Sequence, residues 1–234
     1  MTATIELQDA AVRVPDDDLL ILEPTSLRLT ERRIGVIGGN GSGKSTLVRL
    51  FNGLTTATTG RVLVDGLDPA KDPAAVRRRV GFCFTDPAAQ LIMPTCVEDV
   101  ELSLRRGLPD PARRRAAALD ILAEFGLADR ARTSVHALSG GQRQLLALAG
   151  VLATRPAVVV ADEPTTLLDL ANSRRVAQRL FELEPQLVLV SHDLDLVRRC
   201  DRVLVVDHAR VVFDGPAEAA VEHYTELALA EAAS

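Results

Sequence analysis

Ile34-Gly35-Val36-Ile37-Gly38-Gly39-Asn40-Gly41-Ser42-Gly43-Lys44-Ser45 is the stretch from which the rest of the chain can be read. The apolar run Ile34–Ile37 reads as a buried strand, the residues after it match the pattern GxxxxGK[ST], and Ser45 to Leu54 predicts a helix. Strand, glycine-rich turn and helix in that order form a cradle for an anion. The backbone must curl so that successive N–H groups point inward, in conformations closed to residues with a Cβ, and the helix start adds its positive end. Lys44 supplies a point charge for β- and γ-phosphates, and the Ser45 hydroxyl an oxygen ligand for Mg2+. The four fixed positions arise by chance about once in a hundred chains of this length. The flanking strand and helix make a merely glycine-rich turn a poorer explanation.

Outward from this turn, short apolar runs at Val80–Phe84, Val158–Ala161 and Leu187–Val190 read as further buried strands, each followed by a turn or helix. They predict an α/β fold with a central, largely parallel sheet. Ile5 to Val14 alternates as a strand does, and with Thr25–Thr30 and Arg61–Asp65 it predicts an antiparallel β lobe on one side. Between Cys96 and Arg132 the sequence turns helical, broken at Gly107-Leu108-Pro109 and Gly126. The expected layout is one domain over residues 1–234, with a helical insert at about 96–154 and a short C-terminal helix at about 216–232. Glu218 to Ala233 reads as a terminal helix that frays.

Hydrophobic residues make up 47% and charged residues 25% of the 234, which is globular and far from disordered composition. A net charge of −5 gives no electrostatic reason to expect nucleic acid or an anionic bilayer as partner. The runs Arg77–Arg79 and Arg113–Arg115 read as solvated faces. Cys83, Cys96 and Cys200 are far apart with no CxxC spacing, which suits a reducing cytoplasm better than a disulfide framework. The longest apolar run, Leu145 to Ala153, is far short of the ~20 residues that span a bilayer, so membrane work would need a partner. Only Lys44 and Lys71 are lysine, and one of the two sits in the glycine-rich loop.

Leu138-Ser139-Gly140-Gly141-Gln142 is the more specific signal, since five fixed residues occur by chance in well under about one chain in a thousand. It opens a predicted helix, Gln142 to Ala153, giving a second anion-binding N-terminus. With this motif the chain resembles the ABC ATPase family, from about Ile5 to Gly215. The resemblance implies a P-loop NTPase core with a mainly parallel central sheet, an antiparallel β lobe and a helical signature subdomain. It implies ATP and Mg2+ as ligands, with Gly38, Gly39, Asn40, Gly41, Ser42, Gly43, Lys44, Ser45 and Thr46 around the phosphates. It also implies that Ser139, Gly140, Gly141 and Gln142 bind the γ-phosphate of ATP held by another subunit. A head-to-tail dimer, with itself or a homologous subunit, follows from one loop and one signature per chain.

After the strand Val158–Ala161 comes Asp162-Glu163. A carboxylate at a strand end beside the loop can hold the water shell of Mg2+, the part assigned to Asp162, while Glu163 can take a proton from the attacking water. Two acids at a strand end are unremarkable alone; their position after the signature gives them weight. By resemblance, Leu168-Asp169 is the loop that crosses the dimer interface, and His192, in Ser191-His192-Asp193, senses the γ-phosphate. His136, His208 and His223 match no motif.

Two departures from the family bear on the same nucleotide. Members usually stack an aromatic ring on adenine at the position of Val14, and no Phe, Tyr or Trp occurs before Phe51. After the strand Val80–Phe84 members usually place a glutamine that touches Mg2+; this chain has Thr85, whose oxygen suits a water-mediated contact. Gln90 falls in a segment expected to face the membrane. The stretch Phe84–Val100 resembles the energy-coupling-factor branch, which imports vitamins and transition-metal ions; chains of that branch often run longer, with an added C-terminal lobe, and the shorter form here is more similar to the ATPase subunit of biotin importers, with cobalt or nickel as the second substrate reading. That implies an ATP-hydrolysing subunit at the cytoplasmic face of a membrane, bound through Thr85–Glu101 to integral membrane subunits. Two alternatives stay open: a non-transport ABC ATPase, against which stand the absence of long coiled coils and of a second cassette, and a regulatory subunit with weak hydrolysis.

Overall fold

The computed structural model describes residues 2–14 and 19–232. Its strands are β1 (Ile5–Arg13), β2 (Leu20–Leu29), β3 (Arg33–Ile37), β4 (Thr59–Val64), β5 (Val80–Cys83), β6 (Val158–Asp162), β7 (Gln186–Val190), β8 (Arg202–Asp207) and β9 (Arg210–Gly215). Its α-helices are α1 (Lys44–Leu50), α2 (Pro73–Arg79), α3 (Cys96–Leu104), α4 (Pro111–Glu124), α5 (Gly140–Ala153), α6 (Leu170–Glu182), α7 (Leu194–Val197) and α8 (Ala217–Ala232).

The expected parallel sheet is present, in the order β5-β6-β7-β3-β8-β9, and only its edge strand β9 runs antiparallel. β3 lies between β7 and β8 with all five residues buried. Because β3, β5, β6 and β7 run the same way, their C-terminal ends share one edge of the sheet. The turn after β3 carries the glycine-rich loop, β5 leads to Thr85, β6 ends in Asp162, and β7 leads to His192.

Alternate residues of these strands belong to two different cores, as the period of two requires for strands buried on both faces. Val158, Val160, Val188 and Val190 join one cluster with β1, α1 and the lobe strands β2 and β4. Val159, Ala161, Leu187 and Leu189 join another with α3, α4 and α5. The first core seats the antiparallel lobe, order β2-β1-β4, and the second seats the helical insert.

Several boundaries differ from the sequence reading. β2 starts at Leu20 rather than Thr25, because Leu20 and Leu22 pair across to Arg13 and Val12. The helix expected to run from Ser45 to Leu54 stops at Leu50, where Gly53, at φ 70, lets the chain turn back and the Leu54 and Thr55 amides close on Arg49 O. The signature helix begins two residues earlier than Gln142, at Gly140. β8 and β9 are not among the strands the sequence reading singles out, although Val203–Val206 is a fully buried apolar run of the same kind. The C-terminal helix is seated rather than loose at its start, with Ala220 and Val221 buried in a third cluster against Val203 and Val205. Of the residues expected in it, Ala233 lies outside those described.

Leu146, fully buried on α5, joins the signature helix to the second core. Leu146→Ala is expected to lower the stability by about 2–5 kcal/mol in urea unfolding.

Candidate active site

The turn after β3 closes tightly against the neighbouring strand. Gly38 sits at φ 152, where a Cβ would collide with Val206 O on β8, so no other residue fits. Gly43, at φ 108, is the N-cap of α1, and a Cβ there would come within 2.7 Å of Ile21 O. Ala209, in the turn between β8 and β9, donates its N–H to Ser42 O at 2.9 Å and braces the loop from outside. The result is a fixed backbone curl whose shape depends on β2, β8 and β9 as well as on its own sequence.

Inside the curl, Lys44 is largely buried, with Nζ 2.9 Å from Gly38 O and 2.7 Å from Gly39 O. Burial lowers its pKa, and the nearby carboxylates of Glu163 and Asp162 oppose that shift. Ser42 Oγ is buried and has no hydrogen-bond partner among the described residues. An ammonium resting on carbonyls and an orphaned hydroxyl are what a phosphate would satisfy, so the residues present fit one.

Asp162 closes the β6 end at 2% exposure. Oδ1 accepts from Ser45 Oγ at 3.0 Å, and Oδ2 pairs with Arg49 Nη2 at 3.5 Å. Burial raises its pKa, and the Ser45 bond and the Arg49 charge offset part of that. The hydroxyl and carboxylate oxygens are the hard donors Mg2+ takes, and that ion keeps waters and substrate phosphates as its other ligands, so the pair fits it. Thr85 donates its hydroxyl to Asp162 O at 2.8 Å, steadying the backbone that carries the carboxylate. Gln90 turns inward, bridging the Phe84 amide at 3.4 Å and Ala147 O at 3.2 Å, while its neighbours Asp86, Ala88 and Ala89 are exposed.

Glu163 stands at φ 51, a left-handed conformation rare for a glutamate and found where surrounding structure over-determines the backbone. The turn aims its side chain across to β7. Oε2 lies 2.8 Å from His192 Nδ1 and accepts from Thr166 Oγ1 at 2.8 Å. Oε1 has no partner among the described residues.

The signature forms a capping box: Ser139 Oγ accepts from the Gln142 N–H at 3.3 Å, and Gln142 Oε1 accepts from the Ser139 N–H at 2.9 Å. Asp169 caps α6, with its carboxylate bonded to Asn172. Val14 is half-buried, its N–H bonded to Leu19 O at 2.9 Å, and residues 15–18 lie outside the described chain.

Within one chain, then, the loop Gly38–Thr46, Thr85, Asp162, Glu163 and His192 share the sheet edge, while Ser139–Gln142 and Asp169 lie at the starts of α5 and α6. The family model described as ABC transporter matches residues 22–166. The chain belongs to the ABC transporter family. It is similar to the biotin transport ATP-binding protein BioM of Rhizobium etli, 44% identical over 207 residues that cover 88% of this chain and 92% of that protein. CbiO1 of Clostridium perfringens, described as part of the ABC transporter complex cbiONQ, superposes with a TM-score of 0.82 at 28% identity, covering 94% of this chain and 92% of that one. The ATP-binding cassette MJ0796, solved as a dimer in a post-hydrolysis state with ADP and Pi, gives a TM-score of 0.80 at 28% identity, covering 91% of this chain and 98% of that one. This ABC chain is therefore an ATP-binding ATPase of the energy-coupling-factor type.

Sequence reasoning missed Arg49 and Thr166. Both had a signal, since Arg49 lies four residues after Ser45 on α1 and so shares its face, and Thr166 follows Glu163 by three.

Since burial raises Asp162, its ionised form is favoured in the unfolded chain, and the cost it imposes is present above its native pKa and fades as pH falls through it. Asp162→Asn is expected to raise the nucleotide-free unfolding midpoint at neutral pH while abolishing hydrolysis. A gain of 1 kcal/mol reads as roughly 2–4 °C in a chain of this size; differential scanning calorimetry with and without nucleotide checks it.

Proposed function

We propose that the chain is the ATP-hydrolysing subunit of an importer of the energy-coupling-factor type, with Glu163 as general base and biotin as the transported molecule. The observation that carries the mechanism is the Glu163 carboxylate. His192 and Thr166 hold Oε2 on either side, which leaves Oε1 to meet a water. That water's oxygen bonds to the γ-phosphorus while its proton passes to Glu163. The bond from the γ-phosphorus to the bridging oxygen breaks, and ADP leaves with the electron pair. The amides of Gly38–Thr46 and the Lys44 ammonium hold the phosphates in line, and His192 fixes the rotamer of Glu163. Ser45 and Asp162 would hold Mg2+, which supplies neutralising charge on the phosphates, and Thr85 steadies Asp162 from behind.

Two copies close head to tail, so that Ser139–Gln142 and Asp169 of one approach the γ-phosphate held by the other. The dimeric MJ0796 cassette, bound to ADP and Pi, supports this arrangement. Coupling then follows from differential affinity: ATP favours the closed pair and its hydrolysis releases it. Thr85–Glu101 is the contact to integral membrane subunits, supported by an exposed surface in which Ile92 is 75% open to solvent. Among the described residues no helix is long and apolar enough to cross a membrane. The place of work in this reading is the cytoplasmic face of the membrane, beside those partners. No part is assigned to nucleic acid. Biotin is favoured by the near-full-length likeness to BioM; cobalt or nickel is the second reading, on the likeness to CbiO1. Mass spectrometry of the complex purified with its membrane subunits tests this, and a metal ion without biotin would overturn it.

Glu163→Gln is expected to lower turnover by ~10²–10⁴ and to accumulate an ATP-bound dimer on gel filtration. An undiminished phosphate-release rate would remove Glu163 from the role of base. Val14→Tyr is expected to tighten ATP binding about fivefold to a hundredfold, the equivalent of ~1–3 kcal/mol of base stacking, and to sharpen adenine over guanine in equilibrium titrations.

A further inference from the structure

The start of the signature helix and the loop Thr165–Asp169 meet within one chain, and the Asn172 side chain stands between Gly141 and Asp169. Asn172, in the first turn of α6, donates Nδ2–H to Asp169 Oδ2 at 2.8 Å, and its backbone N–H donates to Asp169 Oδ1 at 2.9 Å. Both oxygens of Asp169 are thus held by Asn172. The other side of the same amide lies over Gly141: a Cβ on Gly141 would come 2.6 Å from Asn172 Cβ and would overlap Asn172 Cγ and Oδ1 outright. Beside it, a Cβ on Gly140 would sit 3.4 Å from Leu168 Cδ2. From below, Ser173 Oγ donates to Thr165 O at 3.3 Å and Leu168 O at 3.4 Å. At its other end the loop reaches Glu163 through the Thr166 hydroxyl. Leu167 in the loop and Leu170 just after it, 64% and 68% exposed, are uncovered apolar surface.

We propose that Asn172 is a positioning residue that locks the Thr165–Asp169 loop to its own signature turn, so that both meet the partner copy's nucleotide as one preformed surface. The inference rests on the head-to-tail dimer described above. It assigns Gly141 a second reason to be glycine besides ligand approach, namely room for the Asn172 amide. It also connects the signature, which serves one nucleotide, to Glu163, which serves the other, through a path of named contacts. Its side chain is engaged with Asp169 and Gly141, and it acts through them.

The test is ATP-driven dimerisation in the Glu163→Gln background, followed by gel filtration over a concentration series, with ATP binding to the monomer and the thermal midpoint measured alongside. Adding Asn172→Ala is expected to weaken dimerisation by about tenfold or more, the scale of coupling between contacting residues, with monomer ATP affinity unchanged. Asn172→Asp keeps the volume over Gly141 but sets two carboxylates together, and it is expected to give the same loss without opening a cavity. Gly141→Ala is expected to weaken dimerisation strongly in the parent and clearly less when combined with Asn172→Gly, where the clash with the Asn172 amide is gone and only the hindrance to ligand approach remains. Dimers equally tight with and without Asn172, or a Gly141→Ala defect of the same size in both backgrounds, would overturn the inference alone. If Glu163→Gln remains monomeric with ATP, the dimer reading itself falls and takes the inference with it.

Discussion

The packing of β6 and β7 between two hydrophobic cores is the constraint on which the rest of the structure depends. A strand buried on both faces can carry no functional side chain along its length, because every position is taken by an apolar contact. Polar groups are pushed to the strand ends, and a parallel sheet puts the ends of one polarity along one edge. Thr85, Asp162, Glu163 and His192 come from three different strands yet share that edge for this reason alone. The glycine-rich loop belongs to the same edge because β3 lies between β7 and β8.

The role proposed for Asp162 and its burial pull in opposite directions. Its carboxylate is nearly inaccessible, and burial works against its ionised form. Ser45 and Arg49 offset part of that and hold the two oxygens in different directions. Lys44 meets the same conflict with opposite sign, since burial disfavours its charge while Asp162 and Glu163 support it. Under the proposed function, a site that assembles these groups in advance costs stability in the empty protein, and phosphate and metal would restore it on binding. The left-handed backbone at Glu163 is a further local cost of the same kind.

Much of this was legible in the sequence because each motif is contiguous and its chemistry local. The glycine-rich loop, the signature and the acid pair each need adjacent residues at fixed spacing, so their presence could be read without knowing the fold. Gly38 shows where that reading stops: the sequence explains a glycine by the curl of the loop, whereas the structure adds a carbonyl on β8 that leaves no room for a Cβ. β8 and β9 carry no motif, and their apolar run escaped notice although they brace the loop through Ala209. Thr85 marks the opposite case. The missing glutamine was plain from the sequence, but that its replacement donates to the Asp162 carbonyl depends on β5 and β6 pairing in register.

The sequence by itself determined the fold class and showed the glycine-rich loop, the signature and the acid pair each beside an apolar strand or a helix, since these follow from hydrophobic periodicity and from short fixed motifs. Tertiary structure alone decided which groups touch: Arg49 on Asp162, Thr166 and His192 on Glu163, Asn172 between Asp169 and Gly141. Such contacts depend on where separate elements come to lie against one another. That placement is fixed by two cores built from alternate faces of the same strands, and no single stretch of sequence contains it.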